Sequence, residues 1–137
     1  MAGAQDRAKV LWLSASICRK LGQLEEAESH LRRVVAIFRG LHLGEAALAA
    51  VELVQLLLER AKPAEARQFC RSLQPLLEPL EQNPIIGAAF GELLLAGFRG
   101  SFGVDLCKRI RSRIEDARTR RDAAARRRWR ALAVVES

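Results

Sequence analysis

The sequence predicts an all-α fold in which antiparallel helical hairpins are stacked as a short solenoid of about three units. Ala, Leu, Arg and Glu dominate the 137 residues, only 5% of which are aromatic, and the alternation of Val, Ile and Thr that is typical of strands is absent. A segment is also repeated. Residues 22–34 and 61–73 both read as a tight turn, then Glu-Ala, then apolar residues four and seven places further on. Because such a unit cannot bury its apolar face alone, we expect it to stack on its neighbours.

Runs of apolar residues at three- and four-residue spacing, separated by glycine or proline, predict six helices. Pro75 is expected to kink or shorten the fourth helix, and Gly87 and Gly91 favour close packing of the fifth. The third is apolar nearly all round, so we expect it to be buried at the centre. A loop is expected between the fourth and fifth, near 78–84. The predicted helices are 8–21, 24 to about 39, 45–60, 63 to about 77, 85–98, and 104 to about 117.

Positive charge is concentrated at the carboxyl end of the chain. Residues 1–107 carry 12 basic and 12 acidic side chains, whereas residues 108–137 carry 11 basic and 4 acidic ones, which is the whole net charge of +7. This asymmetry divides the chain into a helical-repeat domain over 8–117 and a basic segment over 118–137. That segment either extends the sixth helix or forms a separate arm. Its apolar end either folds back on the body or pairs with a second copy; this end comprises Trp129, Leu132, Val134 and Val135.

Motifs typical of catalytic, cofactor-binding or metal-binding sites are missing from the sequence. The carboxylates are dispersed, and neither a phosphate-binding glycine loop nor a zinc motif is present. We therefore expect no catalytic, cofactor-binding or metal-binding residues and no small-molecule substrate. Cys18, Cys70 and Cys107 are widely spaced on apolar faces, which predicts buried free thiols and fits a reducing cytoplasm. No apolar run is long enough to suggest a membrane span, and the amino-terminal run is not a secretory signal.

The repeated segment resembles the second helix of a tetratricopeptide repeat. Ala27, Leu31 and Val34 of the first copy correspond to Ala66, Cys70 and Leu73 of the second. The resemblance covers about residues 8–117. The spacing from Ala27 to Ala66 is 39 residues, and that from Ala66 to Gly103 in a third unit is 37, against the usual repeat of about 34. The packing positions of the first helix are filled by Leu11, Ser14, Ala15 and Cys18 in unit one, and by Ala50, Leu53, Val54 and Leu57 in unit two. A fainter third unit comprises Gly87, Phe90, Gly91 and Leu94, then Gly103, Cys107 and Ile110.

A closer likeness is to the carboxyl-terminal helical region of certain bacterial regulatory proteins. It rests on Trp12, on Leu-Gly-Gln-Leu-Glu-Glu-Ala-Glu at 21–28, on a long second helix ending near Phe38, and on Ala-Ala-Leu-Ala at 46–49. The resemblance implies a non-catalytic protein- or peptide-binding scaffold in a regulatory or signalling assembly. The chain departs from that pattern in lacking a Cys/His zinc segment and the usual Asp-Pro stop, since Ala follows Asp122.

In this repeat class, the partner lies against an inner face built by the first helix of each unit. A groove that is apolar in the middle with a basic edge suits an amphipathic helix or an extended apolar peptide with acidic flanks. The alternative is that the apolar members simply pack against neighbouring helices. Carrying the register over gives Lys9, Trp12, Ser16, Arg19 and Lys20 from unit one, Leu48, Val51, Gln55, Leu58 and Glu59 from unit two, and Ile85, Ala88, Glu92 and Leu95 from unit three.

The basic segment gives two further hypotheses. One is nucleic-acid association in which arginines neutralise phosphates without reading bases, against the alternative of a solvated face that pairs with acidic protein surface. The other is self-assembly through the end at 129–135. The arginines expected to contact phosphate or an acidic surface are Arg111, Arg113, Arg118, Arg121, Arg127 and Arg128.

Overall fold

A computed structural model describes the backbone of residues 3–136 and the side chains of residues 3–133. Over the described residues, the backbone is helical with short turns and has no strand, which confirms the all-α class. A short 3-10 turn over Gln74–Leu76 follows the fourth helix. The helices are α1 (Ala4–Lys20), α2 (Leu24–Arg39), α3 (Leu43–Glu59), α4 (Pro63–Ser72), α5 (Leu77–Leu80), α6 (Pro84–Arg99) and α7 (Val104–Glu136).

The helix boundaries differ from the predictions mainly at two places. The α4 helix ends at Ser72, as expected of Pro75, which has no amide hydrogen to donate. The 3-10 turn lies within the predicted fourth helix, and the short α5 ends at Leu80, inside the segment where we expected a loop. The basic segment extends the sixth predicted helix, which is the first of the two alternatives given for it, so that helix does not end near 117. It continues as α7 to Glu136, since no glycine or proline follows Gly103 and since Ala and Arg are strong helix formers.

The two copies of the repeat begin with the same turn. Gly22 has φ of 78° and Ala61 has φ of 58°, both in the left-handed region. In each turn, the next residue donates its N–H over 2.8 Å to a carbonyl five positions back in the preceding helix. Glycine adopts this conformation freely, whereas alanine is strained there. The turn geometry is therefore shared although only the first copy has the favoured residue.

The packing of the helices makes α3 the centre of the fold. The α2 helix packs between α1 and α3, and α4 packs between α3 and α6. The α7 helix packs against both α3 and α6. Every residue from 46 to 51 and from 53 to 57 is buried, as the apolar composition of the third helix predicted. An open solenoid is not shown, because α7 covers a side of α3 that an open inner face would leave exposed.

Glycines let α6 approach its neighbours closely. A Cβ on Gly87 would lie 2.9 Å from the Cα of Glu81, so the expected close packing is confirmed there, against the end of α5. Gly91 makes only ordinary contacts. A Cβ on Gly97 would lie 3.2 Å from the sulfur of Cys70, which places a second close approach between α6 and α4.

The cysteines are buried free thiols, as predicted. Burial raises the pKa of Cys70 to about 12 and that of Cys107 to about 11, so both remain protonated thiols at neutral pH. They pack in the core as small apolar side chains.

Candidate partner-binding groove

A groove of about 660 Å³ lies where α1, α2, α3 and α7 meet. We call it the α1 groove. Two buried side chains, Ala15 and Leu31, form its floor, and exposed residues of α1 form its rim. Its lining is Lys9, Trp12, Leu13, Ala15, Ser16, Arg19, Lys20, Leu31, Glu52 and Arg111. All five of the residues of the first unit that the register gave for the partner-binding face therefore line one concave surface.

Trp12 is held in place by two contacts. Its indole N–H donates a 2.7 Å hydrogen bond to Oε2 of Glu52 on α3. Its ring also meets the buried ring of Phe38 edge-on, at a centroid separation of 5.8 Å and an interplanar angle of 61°. An aromatic side chain that is fixed yet only half-buried loses little conformational entropy when a partner covers it.

Glu52 connects three helices at the groove. It accepts from Trp12 of α1, and its Oε1 lies 3.8 Å from Nη1 of Arg111 on α7. Burial raises the pKa of its carboxyl group above the ordinary value, while the Trp12 hydrogen bond and the charge of Arg111 oppose that shift. The carboxyl group therefore helps to fix the walls of the groove.

The cations of the rim fall into two kinds. Arg19 pairs with Glu59, which also accepts a 2.9 Å hydrogen bond from Gln55. Lys9 and Lys20 are exposed and make no ion pair with any side chain that the structure describes. These two lysines are therefore the rim charges that an acidic partner meets without displacing an existing pair.

The residues assigned to the inner face of α3 require a correction. Leu48, Val51 and Gln55 are at most 3% exposed, so they present no surface to a partner in this structure. The reason is that α7 packs along α3. The interpretation that Leu48 and Val51 simply pack against neighbouring helices is therefore the one the structure shows. Leu58 is half-buried against the same core.

The inner-face residues assigned to the third unit lie elsewhere. Ile85, Ala88, Glu92 and Leu95 are exposed on α6, and none of them lines the α1 groove. Glu92 pairs with Arg113 of α7. The third unit therefore does not extend the groove of the first.

The six arginines expected to contact phosphate or an acidic surface form two groups. Arg111, Arg113 and Arg118 belong to the packed part of α7, where each pairs with a carboxylate. Arg121, Arg127 and Arg128 are exposed and make no ion pair with a described side chain. The exposed arginines of the same stretch include Arg120, Arg126 and Arg130.

The apolar end of α7 does not fold back on the body at the positions described. Trp129 is 75% exposed and Leu132 is 56% exposed. The side chains of Val134 and Val135 lie outside the described residues. The described part of the end is therefore an apolar surface in solvent.

Sequence reasoning missed Glu52 as a groove residue and assigned Arg111 to a different surface. The signal for Glu52 was available, because it is the one charged side chain within the apolar run 46–58 of the third predicted helix. Arg111 reaches the groove only because α7 packs on α3, which no local pattern encodes.

Two kinds of site are not found in the part of the chain that the structure describes. No cluster of three or more His, Cys, Asp or Glu side chains is placed to hold a metal ion. None of the described helices has a stretch long and apolar enough to cross a membrane.

Comparisons of this chain with protein-family models, with curated proteins and with solved structures give no match. The likeness to tetratricopeptide repeats and to bacterial regulators therefore rests on the residues quoted above.

Proposed function

We propose that this chain is a non-catalytic scaffold that binds a protein or peptide in the α1 groove, as part of a bacterial regulatory or signalling assembly. The observation that carries the proposal is the convergence of an immobilised Trp12 and the cations Lys9 and Lys20 on one concave surface. The regulatory setting comes from the resemblance alone.

The chemistry of the groove favours an amphipathic helix with acidic flanks. Trp12 and the adjacent exposed Leu13 offer an apolar contact, and fixed aromatic residues are common anchors in interfaces. Lys9 and Lys20 lie 11 positions apart on α1, so they flank that contact along about 16 Å of helix. A partner with apolar side chains in the middle and Asp or Glu at both ends complements this arrangement.

Selection from a displayed library of random 16-residue peptides tests this proposal. We expect the selected peptides to combine Leu or Phe with Asp and Glu, and their binding to weaken as salt is added. Binding is followed by the fluorescence of Trp12 in a Trp129→Phe background, which leaves one tryptophan. We expect Lys9→Glu with Lys20→Glu to weaken binding at least tenfold.

The matched control is Lys108→Glu with Arg109→Glu, which reverses two exposed cations outside the groove. This variant is expected to bind the selected peptides as the wild type does. Selected peptides that are basic, or that bind the Lys9 and Lys20 variant unchanged, would exclude the groove as the binding site.

The second candidate function is association with nucleic acid through the exposed part of α7. The observation that favours it is the distribution of Arg120, Arg121, Arg126, Arg127 and Arg128. They are exposed, and at 100° per residue they spread over about 220° of the helix circumference. Such a helix presents charge to phosphates over more than half of its surface and has no base-reading pattern.

Fluorescence anisotropy with a labelled 30-base-pair DNA and a labelled 30-nucleotide RNA tests this candidate. We expect affinity without sequence preference that falls steeply between low and physiological salt and is strongly reduced in a chain that ends at Asp122, which keeps only Arg120 and Arg121 of this set. Binding that the truncation leaves unchanged, or that is insensitive to salt, would rule out the exposed part of α7 as a phosphate-binding element.

A further inference from the structure

The exposed end of α7 carries an apolar face on the part of its circumference that the arginines leave free. Trp129 is 75% exposed and Leu132 is 56% exposed, and they lie three positions apart on the helix. At 100° per residue, these two side chains and two alanines fall within an arc of about 100°. We call this set the α7 face, and it comprises Ala125, Trp129, Leu132 and Ala133.

Arginines border the α7 face along both of its edges. Arg126 and Arg130 lie along one edge and Arg121 and Arg128 along the other, all within about 60° of the face. These four side chains are exposed and make no ion pair with a side chain that the structure describes. A long arginine side chain can extend past an apolar surface to reach polar groups beyond it. The exposed end of α7 is therefore an amphipathic helix with a cationic border.

We propose that the α7 face binds the surface of an anionic lipid bilayer, with Trp129 and Leu132 entering the boundary between the headgroups and the acyl chains. Helices that lie in this boundary carry tryptophan and leucine on one side and basic residues on the remainder. Tryptophan is favoured at this depth because its ring is apolar while its N–H stays near polar groups. The inference is independent of the α1 groove, which neither residue lines.

The charge around the α7 face favours anionic lipid over a second copy of the chain. Residues 119–133 contain six arginines and one acidic residue, Asp122. Two such segments packed face to face would bring their arginines together, which is unfavourable. Anionic headgroups instead neutralise the arginines on both edges while the acyl chains cover the apolar side chains.

Nucleic acid accounts for the arginines but not for the whole of the α7 face. Its phosphates can pair with the arginines, and a base can stack on Trp129. Neither contact covers Leu132, which lies on the same arc of the helix as Trp129. A lipid surface therefore satisfies the charged and the apolar parts of this segment together.

The small size of the α7 face means that apolar and electrostatic contacts are both required. One tryptophan and one leucine bury too little apolar surface to hold a chain on a neutral membrane, and salt screens the attraction of the arginines. The helix is already continuous through this segment, so binding does not have to order it. We therefore expect binding that depends on anionic lipid and weakens as salt is added.

Co-sedimentation of the full chain with lipid vesicles tests the proposal. Vesicles of phosphatidylcholine with about 30% phosphatidylserine are compared with vesicles of phosphatidylcholine alone, and we expect binding to the anionic vesicles only. The depth of Trp129 is measured in a Trp12→Phe background, which leaves one tryptophan. We expect its emission to shift to shorter wavelength and to be quenched by lipids with brominated acyl chains.

Trp129→Ala with Leu132→Ala removes both large side chains of the α7 face and keeps every arginine. We expect this variant to bind the anionic vesicles at least about tenfold more weakly than the wild type. The matched control is Leu95→Ala with Phe98→Ala, which removes an exposed apolar pair of the same spacing from α6 and is expected to bind as the wild type does. Alanine favours the helix, and circular dichroism checks that each variant keeps its helical content.

Two results would overturn the proposal. If the Trp129 and Leu132 variant binds anionic vesicles as tightly as the wild type, charge alone attracts the chain to lipid. If the wild type does not bind anionic vesicles even at low salt, the α7 face has another occupant. A loss of RNA affinity by the variant in the anisotropy assay would then assign the face to base stacking.

Discussion

The two halves of α7 have a similar content of arginine but opposite surroundings. In the inner half, 104–118, Cys107, Ile110 and Ile114 are fully buried against the body. In the outer half, 119–136, the largest described apolar side chains are Trp129 and Leu132, and both are exposed. The helix is nevertheless continuous through both halves.

This difference shows what each half needs in order to be helical. The inner half is stabilised by tertiary packing, whereas the outer half is held by the intrinsic preference of Ala and Arg and by the helix that precedes it. It also shows that an arginine becomes structural only where the body offers a carboxylate. Arg111, Arg113 and Arg118 meet one, and the described arginines of the outer half do not.

Removing apolar volume from the inner half should produce the largest effect. Ile114 is fully buried, so Ile114→Ala is expected to lower the free energy of unfolding by about 2–5 kcal/mol. Leu132→Ala, the equivalent change in the outer half, is expected to alter it by less than about 0.5 kcal/mol. Urea denaturation followed by circular dichroism measures both. Similar losses in the two variants would mean that the outer half also packs on the body.

Glu52 is the carboxylate that pairs with Arg111 of the inner half, and the pH dependence of the free energy of unfolding tests how much it contributes to stability. Because burial raises the pKa of this carboxyl in the folded state, the folded protein binds the proton more readily than the unfolded chain. Stability from this group is therefore lost as pH rises from the ordinary pKa near 4.5 through the folded value. Glu52→Gln keeps an acceptor for Trp12 and removes the titration.

We therefore expect the stability of the wild type to fall relative to that of Glu52→Gln across this pH window, and then to run parallel to it. Urea denaturation at a series of pH values gives the comparison. A wild type that gains stability over the variant in this window would show that the pairing with Arg111 outweighs the burial.

Replacing a paired arginine and replacing an unpaired one should differ in their effect on stability by a smaller amount. Arg118 pairs with Glu45 at the start of α3, so Arg118→Ala is expected to cost about 0.5 kcal/mol, as partly exposed pairs do. Arg127→Ala removes a charge that meets no described carboxylate, and it is expected to leave stability unchanged. Thermal unfolding in low and high salt separates the two, since only the cost of Arg118→Ala should shrink as salt screens the pair.

Local patterns in the sequence were sufficient to predict the helices and the residues that α1 contributes to the α1 groove. The bounds of α2 follow from Gly22 before it and Gly40 after it, and the repeat predicted two turns of the same geometry. Lys9, Trp12, Ser16, Arg19 and Lys20 share the groove because residues at these spacings lie on neighbouring faces of one helix. All of these inferences depend on contacts between residues that are close in sequence.

The covering of α3 could not be predicted in the same way, because it depends on where a distant helix packs. The distribution of apolar residues around α3 nevertheless indicated that this helix is covered. A helix that is apolar nearly all round has no face left for a partner, so the composition of α3 was already evidence against the accessibility of Leu48 and Val51. The sequence left open whether α7 continues past 117, since the apolar stripe ends there although no breaking residue follows.

Removing most of the outer half should have the smallest effect on stability. The shortened chain ends at Asp122 because Arg118 pairs with Glu45 and a further turn protects that pair from fraying at the new helix end. A chain ending at Asp122 is expected to unfold within about 0.5 kcal/mol of the full chain. Its molar ellipticity should also fall in proportion to the helical residues removed.

The same shortened chain carrying Ile114→Ala should lose as much stability as the full-length variant does, because distant independent sites are additive. A larger loss in the shortened chain would mean that the outer half stabilises the docking of the inner half, and that α7 acts as one unit rather than as two.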